Sequence, residues 1–125
     1  YEHLLLPLHF DAAANERFIV AFRAKGAVTQ SAVTFVWAAN IDRLTYIFGK
    51  RAYRYAFLDA GHVCQNLYLA AWTQGIGCCA MGAFDDAAVN DVLGLDGEHE
   101  FAIYGATVGK AAGVGPVPYG KGGEA

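Results

Sequence analysis

Tyr53-Arg-Tyr-Ala-Phe-Leu-Asp-Ala-Gly-His-Val-Cys-Gln-Asn-Leu-Tyr-Leu-Ala-Ala-Trp-Thr-Gln-Gly-Ile-Gly-Cys-Cys-Ala-Met-Gly-Ala-Phe-Asp-Asp86 is the stretch that decides the fold of this chain. It reads as one long, mostly apolar helix, a glycine-bounded turn, a short buried strand and the start of a second helix. The long helix is predicted from about Lys50 to Gln74, with Tyr55, Leu58, Val63, Leu67, Leu69, Ala70 and Trp72 covering more than one face. A helix that is apolar nearly all round is a buried helix. Gly75 is a natural stop just past its end. Ile76–Met81 follows as a short strand, and Asp85 or Asp86 caps a helix that runs to Leu93 and closes at Gly94. Gly61 inside the long helix costs about 1 kcal/mol against alanine, which is easier to explain if another helix approaches closely.

On the N-terminal side, Leu4, Leu5, Leu6 and Leu8 broken by Pro7 suggest an edge strand or an extended segment, since proline removes a ladder donor. Asp11 is a plausible cap for a helix over Ala12–Ala24, with Phe18, Val20, Ala21 and Phe22 turned inward and Gly26 ending it. Ala32–Ala39 is β-branched and aromatic, hence a buried strand. Asp42–Phe48 is either a short helix or a run into a turn at Gly49. On the C-terminal side, Phe101–Val108 alternates loosely and reads as a last strand. The expected organisation is one domain over residues 1–110 and a Gly/Pro-rich tail over residues 111–125, which has no core of its own.

The chain has 125 residues, 55% of them hydrophobic and 17% charged, against roughly 25% charged in an average globular protein. A domain of this size usually needs more polar surface, so a large interface is expected, made by homo- or hetero-oligomerisation through the central helix or by burial against further chain. Apolar runs such as Ala32–Ala39 fall far short of the roughly 20 residues a membrane-spanning helix requires, and no basic region precedes an apolar signal core. A net charge of −3 and the lack of a Lys/Arg cluster argue against nucleic acid. Cys64, Cys78 and Cys79 form an odd set. Cys78 and Cys79, adjacent in a strand, point to opposite faces, so a disulfide framework is not expected and a reducing cytoplasm is. His3, His9, His62 and His99 lack metal-ligand spacing, and no metal site is proposed.

The ordered set Phe48-Gly49, Arg51–Tyr55, Leu58–His62, Gln65–Leu67, Leu69–Ala71, Gly75–Gly77 and Phe84–Asp86 resembles the nitroreductase superfamily, most closely its SagB-type dehydrogenase branch. The resemblance covers Tyr1 to Lys110 and corresponds to the C-terminal half of a family member. It implies an α+β, nitroreductase-like fold, present in part, with a mixed or antiparallel sheet and a central helix at a subunit interface. It also implies FMN at that interface, with the ring against Met81, Gly82 and Ala83 and a backbone N–H of Gly82 or Ala83 on flavin N5. Small residues let backbone approach a planar ring, and a fixed N–H tunes the atom that accepts hydride.

The family's N-terminal arginine-rich segment, which grips the FMN phosphate, has no counterpart in this sequence. Completion of the site by a partner chain or by a missing N-terminal segment is therefore expected, with Lys110 a candidate minor phosphate contact whose other reading is a plain solvent-facing lysine. The Lys-Tyr pair of azoline dehydrogenases is replaced by Ile47-Phe48, neither of which transfers a proton. Tyr46, Lys50 and His62 remain as catalytic candidates, with His62 either a proton shuttle or a hydrogen-bonded helix histidine. Arg51 and Arg54 are expected to pair with Asp59 or Asp42, the other reading being a phosphate contact. Cys64 and Cys78 are small core residues. The expected function is an FMN-dependent oxidoreductase acting on a small organic or peptide-derived substrate. The alternative is a structural subunit of the same assembly that holds no flavin.

Overall fold

The computed structural model describes residues 6–110. Three antiparallel strands, β1 (Val33–Asn40), β2 (Gly77–Met81) and β3 (Glu100–Gly109), form one sheet in the order β1-β3-β2. Helices α1 (Ala12–Ala21), α2 (Lys25–Gln30) and α5 (Asp86–Leu93) lie on one side, and α4 (Ala52–Thr73) on the other. Helix α3 (Ile41–Phe48) and one 3-10 turn (Gly49–Arg51) lead into α4. The sheet is thus antiparallel, resolving the expected choice between mixed and antiparallel. Among the described residues no helix is long and apolar enough to cross a membrane.

Each helix forms where its capping chemistry allows. The Asp11 carboxylate accepts the Ala14 N–H at 2.7 Å and the Asp85 carboxylate accepts the Ala88 N–H at 2.9 Å, so each satisfies an orphan donor of a first helical turn. Helix α4 ends in a Schellman arrangement: the Gly75 N–H reaches the Trp72 carbonyl at 3.0 Å and the Ile76 N–H reaches Ala71 at 3.1 Å. Gly75 takes φ +67°, a conformation that suits glycine.

Four expectations are corrected. The first helix stops at Ala21 rather than Ala24, because the next residues are captured by another segment. Arg23 donates to the Ala83 carbonyl at 3.0 Å, and Asp85 donates back to Ala21 at 2.8 Å. Gly26 therefore lies inside a second helix and ends nothing. Val20, expected inward, is 53% exposed, while Phe18, Ala21 and Phe22 are buried. Arg51 and Arg54 make no ion pair with Asp59 or Asp42; Asp42 is taken by His99 at 2.8 Å. Of the two readings of the N-terminal run, the edge strand is set aside over Leu6–Phe10, and residues 1–5 and 111–125 lie outside the described residues.

Helix α4 leaves much of its surface open, and within this chain β3 is the more buried element. The face that α4 turns to the sheet is small, namely Ala52, Ala56, Ala60, Cys64 and Ala71. The first four recur every four residues and make one stripe. Small side chains bring the helix backbone close to the sheet, and the large residues are left outside: Phe57 is 57% exposed, Leu69 57% and Trp72 60%. The main apolar core lies on the other side of the sheet, where Phe18, Phe22, Met81, Val89 and Ala102 pack together.

One irregularity in β3 shapes the α4 side. Trp37 pairs with Tyr104 but Ala38 pairs with Ala102, so Ile103 is an extra residue, a β-bulge. The bulge switches the alternation. Ala102 faces the core, whereas Phe101, Ile103 and Tyr104 all face α4, with the Phe101 ring stacked on Tyr53 at 6.1 Å.

Candidate functional site

Beside the bulge, an open groove of about 350 Å³ lies between α4 and the sheet, lined by Phe57, Ala60, Gly61, Gly82, Ile103 and Tyr104. Its shape follows from the elements around it. Gly61 stands one turn after Phe57 on the helix, and a Cβ built on Gly61 would meet nothing within 4 Å. No second helix approaches Gly61 among the described residues, so this glycine leaves open space at the groove wall. Gly82 follows the last residue of β2, opposite the bulged Tyr104. Its φ is outside the positive region, so no backbone strain demands glycine there. A Cβ on Gly82 would lie 3.4 Å from Tyr104 Cε2.

The backbone of β2 points one donor into this region. Val108 directs its carbonyl to Ala32 on the β1 side at 3.0 Å. Strand alternation then directs Gly105 and Thr107 toward β2, where they pair with Met81 and Cys79. Cys78, Ala80 and Gly82, at the alternate positions, turn their N–H groups to the open edge, and Gly82 is the one that lines the groove. The Ala80 N–H is taken by the Tyr68 hydroxyl at 2.8 Å. The Gly82 N–H has no acceptor among the described residues.

Electrostatically the groove is nearly blank. None of its six lining residues carries a formal charge. Nearby, burial pushes the Tyr68 phenol above its ordinary range, against the opposing effect of the Ala80 N–H it accepts and with smaller upward contributions from neighbouring thiols. Burial also raises the Cys64 and Cys78 thiols, Cys78 further through Cys64 and Cys79. These groups stay protonated near neutral pH and are poor nucleophiles. Among the described residues all three cysteines are free, and no group of three His, Cys, Asp or Glu side chains gathers to hold a metal. Such a site offers shape, apolar walls and one directed N–H. Any redox step there needs a bound cofactor.

The site residues expected from sequence are partly gathered. Gly82 and Ala83 sit exposed at the end of β2, Gly82 in the groove itself. Met81 is 4% exposed and its side chain belongs to the core, so only its backbone is available to a ligand. Lys110 follows Gly109, which pairs with Gly77 at the opposite end of β2. That is roughly 16 Å from Gly82 at strand rise. Tyr46, 93% exposed, and Lys50, in the 3-10 turn, line neither this groove nor its neighbour. His62 projects from α4 with Nδ1 2.7 Å from the Leu58 carbonyl, so that nitrogen carries a proton. This matches a hydrogen-bonded helix histidine. Phe57, Ile103, Tyr104 and Tyr68 were not anticipated. The Phe57–Gly61 spacing of one helical turn was a usable signal, whereas the bulge left none. A second groove of about 320 Å³ adjoins the first and shares Ala60 and Ile103, with Arg43 and Asp59 among its lining residues.

Against this geometry, the sequence profile described as the Nitroreductase family matches residues 5–110. The chain belongs to the nitroreductase family. A provisionally named nitroreductase of Methanocaldococcus jannaschii is 39% identical over 61 residues, which is 49% of this chain and 31% of that protein. A crystal structure of a provisionally assigned nitroreductase from Anabaena variabilis superposes with a TM-score of 0.69 at 30% identity, over 82% of this chain and 21% of that one. The NADPH:FMN oxidoreductase of Vibrio harveyi complexed with NAD+ shares the fold, with a TM-score of 0.68, 22% identity, and 82% and 47% coverage. The chain therefore spans about a third of its curated relative. Its α+β architecture, a small antiparallel sheet with one long helix, is the nitroreductase-like fold.

Proposed function

We propose that this chain supplies the flavin-facing part of an FMN-dependent oxidoreductase, with the Gly82 N–H as the hydrogen-bond donor to flavin N5. The observation that carries the proposal is the unclaimed Gly82 N–H at the open edge of β2, beside an uncharged groove with two glycines in its walls. These residues fit a planar ring: two faces without side chains let it approach, and apolar walls exclude water. When bound, FMN supplies hydride chemistry between a small organic or peptide-derived substrate and an electron acceptor. The chain's own part is positional. Gly82 orients and polarises N5, while Phe57, Ile103 and Tyr104 shape the pocket. Lys110 is the cation that directly follows the paired strands and would serve the phosphate. A partner chain or further sequence would complete the phosphate grip, through arginines or a helix N-terminus.

Membership in the SagB-type branch is part of the same proposal and rests on the ordered motifs from Phe48 to Asp86. Azoline oxidation by a Lys-Tyr pair is not the proposed reaction. Ile47 is 68% exposed and the Phe48 ring packs on Tyr55 at 4.5 Å, and neither side chain moves a proton. The three free thiols support a reducing, cytoplasmic setting.

A structural subunit without flavin is the competing reading, favoured by the large apolar outer face of α4. The absorbance spectrum of the purified assembly separates the two. Stoichiometric FMN per site supports the proposal. A colourless assembly that gains no flavin on titration overturns it in favour of the structural subunit.

A further inference from the structure

Tyr68 is four residues beyond the buried Cys64 on α4, so the two share a helix face turned toward β2. Its hydroxyl accepts the Ala80 N–H at 2.8 Å, and among the described residues this is the hydrogen bond that joins α4 to β2. An open strand edge presents a donor at every second residue. Here the edge offers Cys78, Ala80 and Gly82, each two residues or about 7 Å from the next. Tyr68 occupies the middle one and leaves Gly82, the one beside the groove.

We infer that Tyr68 is a positioning residue for the ring site: by holding the Ala80 N–H it fixes the edge of β2 against α4 and leaves the Gly82 N–H as the directed donor of the groove. This inference rests on the proposed flavin site at Gly82. Without the hydroxyl, β2 is tied to α4 by packing alone, and the groups that meet there are small, with Cys64 on the helix close to Cys78 on the strand. A strand edge held so loosely has two adjacent donors, Ala80 and Gly82, competing for the same ligand acceptors. The helix residues Phe57 and Gly61 and the strand residue Gly82 form opposite walls of one groove. The helix-to-strand tie therefore sets the groove width as well. Tyr68 does not line the groove, and its phenol holds its proton because burial disfavours the charged form. It acts through β2.

The test is a double-mutant cycle on the natural protein in the assembly in which it is purified, using Tyr68→Phe, Ala80→Pro and both together. Proline removes the Ala80 N–H at an edge position where it breaks no ladder bond. FMN affinity, the midpoint potential of the bound flavin, thermal melting and deuterium exchange at Ala80 are measured. Tyr68→Phe is expected to weaken FMN binding by about three- to tenfold, the worth of one hydrogen bond. It should also shift the flavin potential and speed exchange at Ala80, and the double variant should be no worse than Ala80→Pro alone. If wild type takes no FMN, the proposed flavin site falls, and this inference with it. If wild type takes FMN and Tyr68→Phe keeps wild-type affinity and potential, the positioning role alone falls. A lowered melting temperature with an unchanged potential also overturns it, as does full additivity of the two substitutions. Should Tyr68→Phe not fold, Ala80→Pro removes the same hydrogen bond, and its affinity and potential decide by the same criteria.

Discussion

A ladder of substitutions at Gly82 tests the proposed site most directly. Gly82 has no positive φ, and a Cβ there meets Tyr104 Cε2 at 3.4 Å and Cδ2 at 3.7 Å. Alanine therefore fits, and by restricting the unfolded chain it changes stability by no more than about 1 kcal/mol, with stabilisation expected. Valine adds two γ-carbons on a Cβ already against the Tyr104 ring. They enter the groove of about 350 Å³ or push the ring aside. Overpacking of this kind costs about 1–3 kcal/mol, and losing the close approach to the Gly82 N–H costs about 0.5–1.5 kcal/mol more. Added together, FMN binding should weaken by about 1.5–4.5 kcal/mol, roughly 10- to 2000-fold in Kd. Titration of the apo assembly with FMN, followed by flavin fluorescence, reads the affinity, and thermal melting reads the fold. Gly82→Val binding FMN within about threefold of wild type while melting normally would show that the ring does not lie at this strand end.

Three further outcomes follow from the same geometry. Asn90, 7% exposed, accepts the buried Ala102 N–H at 2.8 Å; Asn90→Leu strands that donor and should cost about 1–3 kcal/mol in urea unfolding, whereas a loss under about 0.5 kcal/mol would mean the donor finds another acceptor. His99 hydrogen-bonds the Asp42 carboxylate, which raises its pKa first through that bond and then through the charge, with Asp96 and Glu98 adding to it. A raised folded pKa stabilises below the ordinary imidazole range and is lost as pH rises through the folded value, so wild type should lose more melting temperature than His99→Gln between about pH 5.5 and about pH 8.5; parallel curves would refute the coupling. Ala70 is exposed on the outer face of α4; Ala70→Glu should leave the fold within about 0.5 kcal/mol yet abolish assembly through this face, because an unpaired buried charge costs several kcal/mol. Sedimentation giving an unchanged oligomer would place the interface elsewhere.

The elements were legible where local chemistry decides them. Asp11 and Asp85 cap, Gly75 and Gly94 stop, and the β-branched run at Val33–Asn40 makes a strand, because each signal acts within a turn or two of chain. The end of α1 was not legible, since two hydrogen bonds to Ala83 and Asp85, sixty or more positions away, terminate it. The site was legible in one part. Gly82 stood out as a small residue at a strand end. Its counterpart walls did not, because the bulge at Ile103 is one skipped partner in a strand whose alternation is already loose. The ion pairs misread around α4 have a different cause: exposed arginines gain little from pairing with a nearby carboxylate, and tertiary placement set His99 against Asp42.

Helix α4 explains why the fold and the proposed site cannot be separated. A hydrophobic reading assigned its large residues to the interior, but the register of alanines at 52, 56 and 60 wins the inner face. A small stripe lets a helix lie close to a sheet, and the closeness leaves a slot rather than a packed seam where the stripe meets Gly61. Had Phe57 or Leu58 faced inward, the sheet would be better covered and the slot filled. The apolar area turned outward is the consequence, since a chain that spends its small residues on the inner face has only large ones left for the outer. An exposed aromatic face and an unfilled groove on one helix are therefore two results of a single choice of register. That register also sets Tyr68 against the β2 edge, two residues before Gly82.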